Sequence, residues 1–303
     1  MPTQQTPNRS VSHSNSVTLK RALRRLQRHL EFKLVALKRS VTPDAVHEAR
    51  TAAGRLRAQL HGFRAQLSPS PAHRYRHWLK RVTGGLGTLR DADVARQNVA
   101  ELVKSAHGRR RDALYTLSPG FHQRRQRLAE KLQAEMARSA WSANVRKLKA
   151  AAVDPGLILS NSPPIAAVTT SLLAHRRRRM RARLRKATRS KQSLHRLRLK
   201  VKHLRYFLEE SAQFGAGLVS AREVRLLKGL QDSLGQLHDL VVLRDLSKDG
   251  MASRGARKTL RKKCDARRKR LLVDYDESRV ALLRLWAPRI SAIGIPAHFQ
   301  SNQ

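Results

Sequence analysis

The chain is poor in aromatic residues, in acids and in cysteine, and each shortage removes a class of function. Phe, Trp and Tyr make up 4% of 303 residues, too few for the stacking platforms on which sequence-reading and single-strand nucleic-acid binders lay their bases. Cys264 is the one cysteine, so no intrachain disulfide forms, and a reducing, cytoplasmic setting is compatible with the chain. It lies beside Arg261, Lys262 and Lys263 and reads as a bystander thiol. No run of about 18 apolar residues occurs, which argues against a membrane-spanning helix. Residues 1–16 are polar, without the apolar centre of a secretory signal, and are expected to be disordered. Acids number 21 against 64 Lys and Arg, a formal net charge of +43. That excess is far beyond what solubility requires and predicts an acidic, polymeric partner.

Catalytic constellations are also missing. There is no Gly-Lys-Ser/Thr phosphate loop. His47 and His61 share a helix side but have no further ligand at metal-site spacing, and their surroundings are cationic. His238-Asp239 suggests a metal phosphohydrolase, but a second copy of the same block carries Arg90-Asp91 at that place, so position 238 does not behave as a ligand. The chain is read as a non-enzyme with no metal and no cofactor.

What is present is helical periodicity throughout, with no alternating pattern of strands. Leu19, Leu23, Leu26, Leu30, Leu34 and Leu37 form the apolar stripe of a first helix from about Val17 to Lys38, with Arg21, Arg25 and Arg28 as a cationic row on another side. Thr42-Pro43 starts a second helix. Ser68-Pro69-Ser70-Pro71 ends it, and a long third helix carries Trp78 to Leu102. Gly84, Gly85 and Gly87 weaken that helix, by about 2–3 kcal/mol together against alanine, which implies a kink or close helix approach. Since Gly235 repeats Gly87, close approach is the preferred reason. A basic turn around His107 to Arg111 precedes a fourth helix, about Gly120 to Ala150. The Pro/Gly/Asn-rich stretch 151–164 reads as a linker. Four helices follow: Ile165 to Lys186 with Arg176, Arg179 and Arg183 in one row, the helix of the main motif, Ala221 to Asp249, and Arg254 to Trp286. A tail, 288–303, completes the chain.

The main motif is His195-Arg196-Leu197-Arg198-Leu199-Lys200-Val201-Lys202-His203-Leu204-Arg205-Tyr206. At about 100° per residue it gathers His195, Arg198, Lys202 and Arg205 into one sector of a helix. The pattern occurs twice. His47, Arg50 and Arg57 with Leu56 repeat His195, Arg198, Arg205 and Leu204 at a separation of 148 positions (195 less 47), Lys80 repeats Lys228, and Leu86-Gly87-Thr88-Leu89-Arg90-Asp91 repeats Leu234-Gly235-Gln236-Leu237-His238-Asp239 at the same offset. Two blocks in unchanged register imply two copies of one unit, 17–150 and 165–287, each presenting a cationic helix beside a Leu-Gly-x-Leu-x-Asp helix. Each half is long enough to bury its own core. Asp91 and Asp239 are supports: each either orients a motif arginine by a bidentate pair or joins neighbouring helices.

A His-x-x-Arg helix running into Leu-Arg, then Leu-Gly-x-Leu-Arg-Asp, repeated in a basic helical chain, closely resembles the CHAD family, the α-helical histidine domain, over roughly residues 17 to 287. The resemblance implies an all-α fold of two tandem four-helix bundles related by pseudo-two-fold symmetry, around a basic central cavity that binds inorganic polyphosphate, and association with polyphosphate granules. Gly54, where a cation is expected, and His203, where arginine is usual, depart from the family pattern. The Glu-x-Glu-x-Lys strand of the triphosphate-cleaving domain that often accompanies such relatives does not occur. On the motif positions the ligands are His47, Arg50, Arg57, Lys80, His195, Arg198, Lys202, Arg205 and Lys228. Arg21, Arg25, Arg28, Arg55, His61, Arg176, Arg179 and Arg183 form a second tier. A base-free polymer of phosphates needs rows of bidentate donors and no stacking surface, which fits the composition. Nonspecific binding of RNA or DNA backbones is the rival reading.

Overall fold

Six leucines at helical spacing drive the first element of the computed structural model, which describes residues 9–159, 163–215, 217–248 and 253–287. Leu19, Leu23, Leu26, Leu30, Leu34 and Leu37 are each no more than 4% exposed, and helix α1 (Arg9–Arg39) packs them against α2 (Pro43–Gly62). The helix reaches back beyond Val17 to Arg9, because no glycine or proline interrupts that stretch. The start of α2 is set as the sequence predicts: Pro43 occupies the first turn and Thr42 Oγ1 accepts a hydrogen bond from Ala45 N at 3.1 Å, a cap worth about 1 kcal/mol.

The long third helix is two helices, α3 (Pro69–Thr83) and α4 (Leu86–Lys104), parted at Gly84-Gly85. In the second half the corresponding positions are Asp232 and Ser233, and α10 (Ala221–Leu246) runs through them unbroken. The cost of two adjacent glycines explains the difference. Gly87 and Gly235 do not serve close helix approach: a Cβ built on either would meet nothing within 4 Å. The basic turn is a short helix, α5 (Gly108–Tyr115), opened by Gly108 at φ +51, a left-handed conformation suited to glycine. The fourth predicted helix is also two, α6 (Ser118–Ala137) and α7 (Ser139–Val153), separated by extended Arg138.

After α7 the chain is strapped to the first half: Ser68 N donates to Leu157 O at 3.0 Å and Leu159 N to Gln66 O at 3.1 Å. Then come α8 (Ile165–Lys186), α9 (Lys191–Ser211), α10 and α11 (Arg254–Leu285). Residues 1–8 of the N-terminal segment and the tail 288–303 lie outside the described residues. No described helix is long and apolar enough to cross a membrane.

The halves do not keep separate cores. Buried apolar side chains from Leu19 to Leu282 form one contiguous cluster, because α2 lies against α9, α4 against α10 and α5 against α11. The α2–α9 contact is tight at Gly62, where an added Cβ would fall 2.0 Å from the Phe207 ring. Phe63 and Phe207 pack 5.3 Å apart beside it. The Gln59 side-chain amide donates to Phe207 O at 3.3 Å, joining residues 148 positions apart. Glu223, 3% exposed, locks three helices of the second half. Arg177 on α8 donates to both its oxygens, at 2.7 and 2.6 Å, and Trp286 Nε1 donates at 2.9 Å.

Candidate anion-binding site

Four helices, two from each half, surround a cavity of about 370 Å³. From α9 come Arg198, Lys202 and Tyr206, and from α2 His47 and Arg50. Arg90 and Asp91 enter from α4, and Gln231, Asp232, Gly235 and Asp239 from α10. The helical sector predicted for α9 accounts for the first group, since positions 198 and 202 share a face. Gly235 now has a reason: its missing side chain leaves cavity space.

Like charges dominate the interior. The Lys202 ammonium is pushed down to about 8, first by burial and then by Arg50, Arg198, Arg205 and Arg57. His47 is held below the usual imidazole range by burial, then by Arg90, Lys202 and Arg50. His238 falls to about 4 through burial and then Arg198 and His195. Burial also lowers Arg50, with Asp91 opposing. Asp91 faces this arginine through one contact and no bidentate pair: Arg50 Nη1 lies 3.7 Å from Asp91 Oδ1 and donates to Gly87 O at 3.2 Å. Asp239 makes no ion pair among the described residues. Burial raises its carboxyl to about 6 although Arg198 opposes the shift.

The remaining predicted residues divide by position. Arg205 borders the cavity, donating to Gln231 Oε1 at 2.9 Å, but its other end is engaged by Glu209. Arg55 is paired with Glu209 at 3.0 Å and Glu210 at 2.6 Å, and Arg25 with Glu210 at 3.0 Å. This acidic pair neutralises one end of the cationic rows. Arg25 and Arg55 line a neighbouring groove that shares His47 with the cavity. Arg21 and Arg28 are exposed on α1. His195 lies beside the cavity, its Nδ1 3.4 Å from His238 Nδ1, and faces a separate pocket with Leu194, Leu234 and Leu237. Lys80 and Lys228 are exposed and outside the cavity lining. Lys228 stands one turn before Asp232 on the same helix face. Arg57 is exposed and outside the cavity lining, but its charge acts on Lys202 and His203.

His61 and His203 have ring centres 6.5 Å apart, and Arg176 Nη2 donates to His61 O at 3.4 Å. Arg179 and Arg183 line an outer groove between α8 and α9. The departure at Gly54 is steric: a Cβ there would lie 2.8 Å from Tyr206 Cε2 and 3.8 Å from Lys202 Cε.

Sequence reasoning uses Arg90, which lines the cavity, only to set His238 aside as a metal ligand, and counts neither among the ligands although the repeated block contains both. Their signal is the offset: His47 feels Arg90 as its strongest charged neighbour, and the corresponding His195 touches His238. Among the described residues no group of three or more His, Cys, Asp or Glu is arranged to hold a metal ion.

An all-helical chain with a cationic cavity between two sets of helices defines the structural class. The chain belongs to the CHAD domain family, which matches residues 18–248. Its fold is similar to the crystal structure of the CHAD domain from the plant Ricinus communis, with 21% identity, a TM-score of 0.67, and coverage of 88% of this chain and 91% of that one. It is also similar to PptA from Streptomyces chartreusis, with 17% identity, a TM-score of 0.66, and coverage of 90% and 99%. No curated protein matches the chain.

Proposed function

We propose that this protein binds inorganic polyphosphate in the cavity between α2, α4, α9 and α10, without converting it, and by this means associates with polyphosphate granules. The observation that carries the reading is Lys202, a half-buried ammonium in the cavity wall whose main influences after desolvation are four arginines and no acid. Such a cluster is costly when empty and is relieved by a dense polyanion, which restores the charged form of the lysine and accepts charge-assisted hydrogen bonds from the guanidinium forks. Arg50, Arg90, Arg198 and Lys202 supply the donors, and His47 adds hydrogen bonds and, once protonated beside phosphate, charge. Membership in the CHAD family supports the same reading.

The cavity fits a polymer without bases better than a nucleic acid. Tyr206 is its one aromatic wall, yet that ring is only 3% exposed. Cations lie against it from three residues: Arg205 at 4.8 Å, Arg55 at 5.4 Å and Lys202 at 5.5 Å. A base finds no open face to stack on. The test is competition: labelled long-chain polyphosphate bound at fixed salt is challenged with RNA, double-stranded DNA and unlabelled polyphosphate. Displacement by polyphosphate at far lower phosphate concentration than by either nucleic acid is expected. Equal displacement by all three, phosphate for phosphate, would reduce the site to a general counterion sink.

A further inference from the structure

We infer that the central cavity continues over Arg57 and His203 into the groove between α8 and α9, so that one cationic track carries a phosphate polymer out of the cavity and makes affinity depend on chain length. The inference rests on the polyphosphate reading above and assigns the α8–α9 groove to it. That groove has a volume of about 770 Å³ and is lined by Arg179, Arg183, Lys186, Arg196, Lys200 and His203, with no acid in its lining. The cavity by contrast carries Asp91, Asp232 and Asp239 in its wall.

Helix α9 is the shared wall. At about 100° per residue, Arg198 and Lys202 point to one side and Lys200 and His203 to a side about 150° away, so the same helix lines both spaces on different faces and the link between them must pass over the consecutive pair Lys202-His203. The bridge between them is built by α2. Arg57, exposed, is the leading charge acting on His203 and also acts, after three other arginines, on Lys202. His203 in turn feels His61 and Lys200, His61 feels Arg176, and Arg176 feels Arg179. The row alternates fixed cations with imidazoles held neutral by burial and by those cations, and no carboxylate is among the main influences on Lys202, His203, His61 or Arg176. His203 Nδ1 is buried without a hydrogen-bond partner, a polar atom at the bridge left unsatisfied in the empty protein. Arg176 is fixed by stacking on Phe207 at 4.3 Å and by its bond to His61 O. A like-charged row held in place by packing is preorganised for a linear polyanion and unfavourable without one.

A short chain fills only the cavity. A longer one gains the contacts of Arg57, Lys200, Arg179 and Arg183 at the effective concentration set by its first segment. The experiment measures affinity for tripolyphosphate and for long-chain polyphosphate at fixed salt. The proteins are the parent, Arg179→Ala/Arg183→Ala, Lys202→Ala, and Arg109→Ala/Arg110→Ala, which removes two exposed charges on α5. The groove variant should lose about tenfold for the long chain and less than about twofold for tripolyphosphate. Lys202→Ala should weaken both ligands, and the α5 variant should leave their ratio as in the parent. Unchanged melting confirms that the groove variant is folded. An equal loss for both lengths in the groove variant, no loss for either, or the same change of ratio in the α5 variant would overturn the track while leaving the cavity intact. Failure of the parent to bind either ligand would instead overturn the cavity reading on which the track rests.

Discussion

Gly54 and Tyr206 are in contact across the two halves of the chain, so closely that a methyl group on Gly54 would lie 2.8 Å from the tyrosine ring. Tyr206 is buried and forms a wall of the cavity beside Lys202, so the missing side chain at position 54 sets where that wall stands. Gly54→Ala is expected to destabilise the fold by about 1–3 kcal/mol through overpacking and to weaken polyphosphate binding by displacing Tyr206. Denaturant unfolding and ligand titration check the two effects.

Gly87→Ala should have the opposite sign. Its Cβ meets nothing within 4 Å, so the gain in helix propensity, up to about 1 kcal/mol, is not offset by a clash. Gly235→Ala should stabilise for the same reason, but its methyl enters the cavity and should lower affinity. Stability and affinity moving in opposite directions in Gly235→Ala is the distinguishing result. A loss of stability in both variants would restore close helix approach as the reason for these glycines.

The depressed Lys202 gives binding a pH dependence with a defined sign. In the free protein its ammonium loses its proton near 8, against an ordinary value of 10.5. A bound polyanion favours the charged form, so the complex holds more protons than the free protein. Affinity must therefore rise as pH falls from about 10 to about 8. Lys202→Arg, which stays protonated, should flatten that rise while retaining binding, and Lys202→Met should flatten it at lower affinity. An unchanged slope in Lys202→Arg would assign the proton uptake elsewhere.

Asp239 works against the ligand when ionised. Its carboxyl, raised to about 6, is charged at pH 8 and neutral at pH 5. Asp239→Asn should tighten polyphosphate binding severalfold at pH 8 and leave it near the parent value at pH 5, as read by titration at both pH values. A weaker complex at pH 8 would show that the carboxylate is needed to orient Arg198.

Glu223 separates stability from binding. It is buried, holds Arg177 through both oxygens and accepts from Trp286. Glu223→Ala leaves Arg177 without its partner and should cost about 3–5 kcal/mol. Polyphosphate affinity of the folded fraction should not change, because none of the three residues lines the cavity.

The all-helical class, the first helix stripe and the Thr42-Pro43 start were legible because each follows from local periodicity or capping. The same local arithmetic placed His47, Arg50, Arg198 and Lys202 at the cavity, since helical spacing decides which side chains share a face. It could not show that Glu210 would capture Arg55 and Arg25, because those pairs join helices far apart in sequence, whereas the Arg205–Glu209 pair lies four residues apart on α9 and was open to the same arithmetic. Nor could it separate exposed Lys80 and Lys228 from the lining residues: a repeat offset fixes equivalence between positions, not depth. The glycines misled for a related reason. A glycine in a helix signals either a neighbour too close or a space to be kept open, and only the packing distinguishes Gly54 from Gly235.

The shared core between α2 and α9 also constrains how this sequence can change. Gly62 must stay without a side chain for as long as position 207 is phenylalanine, since an added Cβ would stand 2.0 Å from that ring, and Gly54 is bound to Tyr206 in the same way. The partner that disciplines each residue lies in the opposite half of the chain. The two halves therefore cannot drift apart independently: a larger residue at 54 or 62 is admissible only alongside a smaller one at 206 or 207. Such paired exchanges are the trace that this interface should leave among related sequences.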